Sequence, residues 1–171
     1  EFRRVLFRSH SEKAKKLFEN NNIYNHLELE ARHEIMLEAY IKKVQIEARV
    51  MGDLASTMII PAAIKYQNEL IANVSGLKNL GIKGKAFDSQ MSILEKLSEH
   101  IQAISTNVTE MIEARKNANE IADTRSKAIA YCDEVKDKYF DKIRYHVDKL
   151  ELLVDDSTWP LPKYRELLFL R

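Results

Sequence analysis

Apolar side chains recur along most of this chain at helical intervals rather than at the alternating interval of strands. The first run takes steps of four and three residues, which is the a/d seam of a heptad repeat. Its members are Leu37, Ile41, Val44, Ala48, Met51, Ala55, Met58 and Ala62, and wider steps continue it through Tyr66, Leu70, Val74 and Leu77. The run predicts a long helix that begins between Asn25 and Glu28. Its alanines would let a neighbouring helix approach closely, and Pro61 is expected to kink the helix rather than end it.

Two further stripes predict two more long helices. The second helix is expected to start at Phe87 and the third near Asp123, which is a good N-cap residue. The second stripe is Phe87, Met91, Leu94, Leu97, Ile101, Ile104, Val108 and Met111, fading through Ala114, Ala118 and Ile121. The third stripe is Ala128, Cys132, Val135, Tyr139, Ile143, His146, Leu150 and Leu153. Short helices are expected after Ser11 and after Pro162.

Helices of about 30 to 50 residues would be about 45 to 75 Å long at 1.5 Å per residue. The predicted fold is therefore all-α: an elongated antiparallel helical bundle of three long helices plus short N- and C-terminal helices. The composition agrees, because 4 Gly and 3 Pro among 171 residues leave few turn formers for a protein of many short strands.

Positive and negative charges are nearly balanced along the chain. Lys and Arg number 27 and Asp and Glu 26, a formal net charge of +1, so nothing in the charge favours nucleic acid or an anionic membrane as partner. No apolar run approaches the ~20 residues that span a bilayer. The single cysteine, Cys132, lies on an apolar stripe and is expected to be a small buried hydrophobe.

Residues 1–10 do not share the pattern of the rest. They mix arginines with apolar residues and have no clean period, and they begin with Glu-Phe, which a common restriction site encodes. We interpret residues 1–10 as a cloning or adapter scar and residues 11–171 as the helical bundle. A native Arg-rich helix is the alternative. If the segment is foreign, the protein is expected to extend further upstream.

The sequence carries no complete catalytic or metal motif, so no catalytic, cofactor-binding or metal residue is assigned. Glu30 and His33 form one Glu-x-x-His pair, whereas di-iron bundles use two such pairs. His146 is expected to be a satisfied core or interface histidine. There is no Gly-rich phosphate loop, nucleophile elbow or paired-cysteine motif.

The C-terminal tail is the one segment dense in large aromatic groups. Trp159, Tyr164 and Phe169 are the candidate docking residues, and Pro160 and Pro162 stiffen the chain that presents them. Two interpretations remain open. The tail either caps the end of the bundle or docks on another domain or subunit.

Several stretches of the chain resemble the C-terminal region of type III glutamine synthetases, the large bacterial form of the enzyme. They are residues 28–35, 46–49, 60–63 with Tyr66, 111–116, 145–151 and 159–166. The resemblance runs from Lys15 to Arg171 and is most specific in the final thirty residues, which include the Trp-Pro-Leu-Pro-Lys-Tyr-Arg-Glu run.

The resemblance implies that the full-length enzyme ligates ammonia to glutamate with ATP and a divalent metal, Mg or Mn. It also implies a cytoplasmic, ring-shaped homo-oligomer whose active sites lie in an upstream catalytic domain. That domain and the neighbouring subunits are then the expected partners of this piece. The piece itself is expected to have a structural or assembly role and no activity of its own. The alternative is a free-standing helical interaction module.

Overall fold

The computed structural model describes residue 8 and residues 10–168 of the chain, and these residues contain helices and no strand. Within this part of the chain nine helical segments follow one another, two of them π-helical. They are α1 (Glu12–Asn20), α2 (His26–Leu54), a first π-helical segment (Ala55–Ile59), α3 (Ile60–Asn79), α4 (Lys85–Asn119), α5 (Thr124–Ala130), a second π-helical segment (Tyr131–Phe140), α6 (Asp141–Leu153) and α7 (Tyr164–Leu167). The predicted all-α helical bundle is confirmed.

Side-chain caps fix where several helices begin. Ser11 accepts a hydrogen bond from the backbone of Ala14 at 3.3 Å and opens α1. Asn25 and Glu28 form a reciprocal capping box at 2.9 Å ahead of α2. Asp123 accepts from the backbone N–H of Ser126 at 2.8 Å and opens α5, as predicted. These caps satisfy backbone N–H groups that have no partner within their helix.

The chain forms two compact units. The first unit comprises Glu1–Arg49 and Ile112–Lys138, and the second comprises Val50–Met111 and Tyr139–Arg171. The buried apolar side chains of the first unit include Leu37, Ile41, Val44, Ala48, Ala118, Ala128, Tyr131 and Val135. Those of the second include Ala55, Ile59, Ala63, Leu97, Ile104, Val108, Met111, Ile143 and Leu150. Each unit therefore has its own core.

The predicted seam of the first long helix is confirmed at most positions up to Ala55 and again at Val74, but Met51 is only half-buried and the neighbouring Gly52 is buried instead. The structure buries Ile59 and Ala63 where the heptad pattern expects Met58 and Ala62. The first π-helical segment explains the difference, because the backbone N–H of Ile60 bonds to the carbonyl of Ala55, five residues back. The wider turn inserts one residue into the helix and moves the buried face accordingly.

The other two stripes are largely as predicted. Leu97, Ile104, Val108 and Met111 are buried in α4, which starts at Lys85, two residues before the predicted position. In the third stretch the buried predicted residues are Ala128, Cys132, Val135, Tyr139, Ile143 and Leu150. Tyr131, which the pattern did not include, is also fully buried.

Candidate functional site

The C-terminal tail turns back immediately after α6. Val154 adopts an extended backbone conformation after the last helical residue, Leu153. The carboxylate of Asp155 then accepts from the backbone N–H of Ser157 at 2.9 Å, and its carbonyl accepts from the backbone of Trp159 at 3.0 Å. Hydrogen bonds from the side chain and backbone of Ser157 lower the pKa of Asp155. The turn therefore has a local cause in the sequence Asp155-Asp156-Ser157.

Lys163 ties the tail to the end of α6. Its ammonium donates to the backbone carbonyls of Glu151 at 2.8 Å and Val154 at 3.4 Å. It also forms an ion pair with the carboxylate of Asp156. Carbonyls at the end of a helix have no partner within it, and a basic side chain there satisfies them and interacts well with the helix dipole. The Lys163 side chain thus joins the tail to the end of α6 across the turn.

The structure distinguishes among the three predicted docking residues. Trp159 lies in the interior of the second unit with 8% of its surface exposed, which favours the internal-cap alternative for this side chain. Its indole Nε1 has no hydrogen-bond partner among the described residues. Tyr164 begins α7, but its side chain is not among the described ones, and Phe169 lies outside the described residues. Docking by these residues stays a prediction.

Exposed apolar side chains mark other surfaces of the second unit. On α3, Ile64 is 42% and Ile71 44% exposed, and half-buried Ile60 lies on the same side of the helix. Steps of four and seven residues keep these three on one face. Leu152, Leu167 and Leu168 are also exposed. Grouped apolar exposure is characteristic of interaction surfaces, whereas single exposed residues are ordinary.

Two histidines of the second unit form a contact between α4 and α6. The Nδ1 atoms of His100 and His146 are 3.0 Å apart, and the ring centroids are 5.2 Å apart. The expectation that His146 is a satisfied core or interface histidine is confirmed, since it is half-buried and hydrogen-bonded. No feature of the sequence had pointed to His100 as its partner.

A cluster around Cys132 lies in the first unit. The thiol is buried and donates to the carboxylate of Asp137 at 3.8 Å, and one ligand atom each from Cys132, Asp133 and Asp137 lies within 4.8 Å of the others. Burial raises the pKa of the thiol; a hydrogen bond with Tyr40 acts in the opposite direction, and the two carboxylates raise the pKa further. Burial and the hydrogen bond with Cys132 also raise the pKa of Tyr40.

This cluster does not fit the Mg or Mn that the resemblance implies for the full-length enzyme. Those ions prefer oxygen ligands in a nearly regular octahedron, whereas one of the three donors here is the sulfur of a buried thiol whose pKa is raised. Its three donors also come from a single stretch of helix. The cluster therefore offers no basis for a catalytic step.

The Glu30–His33 pair is not assembled as a metal site. The carboxylate of Glu30 pairs with His26 at 3.1 Å, and His33 stacks on His10 with ring centroids 4.0 Å apart. Burial lowers the pKa of both His10 and His33, and the His10 imidazole lowers the pKa of His33 further. Both members of the motif are therefore used in local contacts.

A polar triangle in the first unit lies outside what the sequence pattern predicted. The amide of Gln45 donates to Asn119 at 2.7 Å and to the Tyr131 hydroxyl at 2.8 Å, and that hydroxyl donates to Asn119 at 2.7 Å. The three residues come from α2, α4 and the second π-helical segment. Their large separations in the sequence leave no local signal. The one available signal was the position of Tyr131 next to the third apolar stripe, because a buried tyrosine usually finds a hydrogen-bond partner for its hydroxyl.

None of the helices among the described residues is both long enough and apolar enough to cross a bilayer.

The described residues are helical, with buried apolar side chains in each of the two units, and comparison with known proteins finds similarity to one family. Residues 2–78 match the family model described as glutamine synthetase C-terminal domain. A glutamine synthetase of Bacteroides fragilis (strain YCH46) is 43% identical over 151 residues, which cover 86% of this chain and 20% of that protein. A type-3 glutamine synthetase of Dictyostelium discoideum is 32% identical over 170 residues, 98% of this chain and 23% of that protein.

A glutamine synthetase of Butyrivibrio fibrisolvens is 23% identical over 159 residues, which cover 93% of this chain and 22% of that protein. The chain is thus similar to the C-terminal domain of the glutamine synthetases, and its resemblance to the type III form is confirmed. It spans about a fifth of the length of these relatives. The family match begins at residue 2, within the segment interpreted as a scar, and the origin of that segment stays a prediction.

Proposed function

We propose that this chain is the C-terminal helical domain of an ATP-dependent glutamate–ammonia ligase of nitrogen assimilation, a cytoplasmic ring-shaped homo-oligomer. In that enzyme the domain has a structural or assembly role and contributes no catalytic residue. The family match and the names of the relatives support the enzyme class. Catalysis with ATP and Mg or Mn would then take place in the upstream part of the polypeptide.

The observation that carries the structural role is the apolar face of α3. Ile64 and Ile71 are exposed, and with Ile60 they form a stripe that water would otherwise cover. We propose that the remainder of the same polypeptide covers this face. The relatives are four to five times longer than the segment that they share with this chain, so most of the potential contact surface belongs to that remainder.

The test replaces both isoleucines by glutamate in the full-length enzyme and measures activity, oligomer size by light scattering, and limited proteolysis. Burying two charges should detach the domain and expose α3 to protease. The matched control is Lys65→Glu with Ala72→Glu, which lie one residue along the helix and thus about 100° around it. If both variants behave like the wild type, α3 faces solvent and the proposal is wrong. If only oligomer size changes, a neighbouring subunit covers the face.

A second measurement addresses catalysis. The 171-residue chain, incubated with glutamate, ammonia, ATP and Mg or Mn, should form no glutamine above the level of a mock preparation. Turnover would mean that this chain carries an active site that neither its motifs nor its described side chains reveal. A free-standing interaction module is the alternative function, and an upstream reading frame without an ATP-binding catalytic domain would favour it.

A further inference from the structure

The two imidazoles of the second unit share a single hydrogen bond. His100 lies on α4 and His146 on α6, and the 3.0 Å between their Nδ1 atoms is the length of an N–H···N bond. One Nδ1 must then carry a hydrogen and the other must offer a lone pair. The contact joins residues 46 positions apart in the sequence, so it holds two different helices together.

The hydrogen bond between the two imidazoles limits how many protons the pair can take up. With both rings neutral the bond exists, and with one ring protonated it becomes a stronger, charge-assisted bond. With both rings protonated each Nδ1 is a donor, so the bond is lost and two positive charges face each other. The geometry therefore allows one added proton and opposes the second.

The charged groups around the pair do not remove the opposition to protonating the second imidazole. Burial lowers the pKa of His100 first, followed by the imidazole of His146 and, more weakly, by Lys149, while Glu99 acts in the opposite direction. The Lys149 ammonium lies 5.4 Å from the centroid of the Tyr145 ring, and that ring packs edge-on against His146. Positive charge thus approaches the pair from α6, and the Glu99 carboxylate acts on His100 from its own helix.

We propose that the His100–His146 pair is a pH-sensitive contact that weakens the packing of α4 against α6 when the second imidazole is protonated. Because the pKa of His100 lies below its ordinary 6.5 in the folded chain, the unfolded chain binds more protons in acid. The stabilisation is therefore present above pH 6.5 and is lost as pH falls through the folded pKa of His100.

The experiment follows the histidine ring protons by NMR and the urea midpoint of the whole chain between neutral and mildly acid pH. In the wild type the pKa of His100 should lie below its ordinary 6.5, and the urea midpoint should fall as pH drops. His146→Gln keeps a neutral donor and acceptor beside His100 at every pH. In this variant the pKa of His100 should rise towards 6.5 and the fall of the midpoint should be smaller.

The control is His26→Gln, which removes an exposed imidazole paired with Glu30 on its own helix. It should leave the fall of the midpoint as in the wild type. Equal His100 titrations in wild type and His146→Gln, or an equal fall of the midpoint in both, would overturn the proposal. If His146→Gln does not fold, the wild-type NMR titration of His100 decides alone, and a His100 pKa at or above its ordinary 6.5 would overturn the proposal.

Discussion

Replacing Ala55 by a larger side chain tests directly which face of the first long helix is buried. Ala55 begins the first π-helical segment and is 1% exposed, so no space is left for three additional carbon atoms. Extra methylenes in a well-packed core cost about 1 to 3 kcal/mol because neighbouring side chains or backbone must shift. In a chain of this size each kcal/mol lowers the melting temperature by about 2 to 4 °C. Ala55→Leu should therefore melt about 2 to 12 °C below the wild type.

The matched control is Ala72→Leu on α3, because Ala72 is exposed and also helical. An exposed substitution of this kind should change stability by no more than about 0.5 kcal/mol. Urea denaturation and thermal melting, both followed by far-UV circular dichroism, measure the two variants side by side. An unchanged midpoint for Ala55→Leu would show that Ala55 faces solvent and that the buried face of this helix lies elsewhere.

Three further predictions concern the tail, the N-terminal segment and the polar triangle. Because Trp159 is 8% exposed, Trp159→Ala should cost the chain ~3 to 5 kcal/mol in urea denaturation, whereas unchanged stability would indicate a docking residue. Deleting residues 1–9, which spares the His10–His33 stack, should leave the melting temperature within error if that segment is foreign. A clear loss would mean that it belongs to the protein. Tyr131→Phe should lower stability by about 0.5 to 1.5 kcal/mol, since it removes the hydroxyl from a part-buried hydrogen-bond network, and an unaffected midpoint would show the triangle to be unimportant.

The parts of the fold that were predictable from sequence are those set by local chemistry. Ser11, Asn25 and Asp123 cap helices because a short polar side chain reaches a backbone N–H three residues ahead. Most of the seam up to Ala55 followed from periodicity alone, Met51 being the exception. Beyond Ala55 the pattern could not show the π-helical turn, because a sequence of small and β-branched residues fits either register until the facing helix selects one.

The contacts between distant residues were not predictable in the same way. Nothing in the sequence around His146 identifies His100 as its partner, since no local periodicity connects positions on different helices. Lys163 is a further example. Its hydrogen bond to the carbonyl of Glu151 depends on the turn at Asp155, which brings the Lys163 side chain close to the end of α6. The resemblance to the glutamine synthetases, in contrast, depended on residue order and required no geometry.

The first π-helical segment makes the length of this helix adjustable by one residue. A turn that bonds across five residues holds one residue more than an α-helical turn, so the loss of one residue between Ala55 and Ile59 could be absorbed by a return to regular helix. The buried positions on either side, Gly52 before it and Ala63 after it, would keep their places. Single-residue gaps in related sequences should therefore be tolerated at this position, although elsewhere in the same helix they would rotate the residues that follow by about 100°.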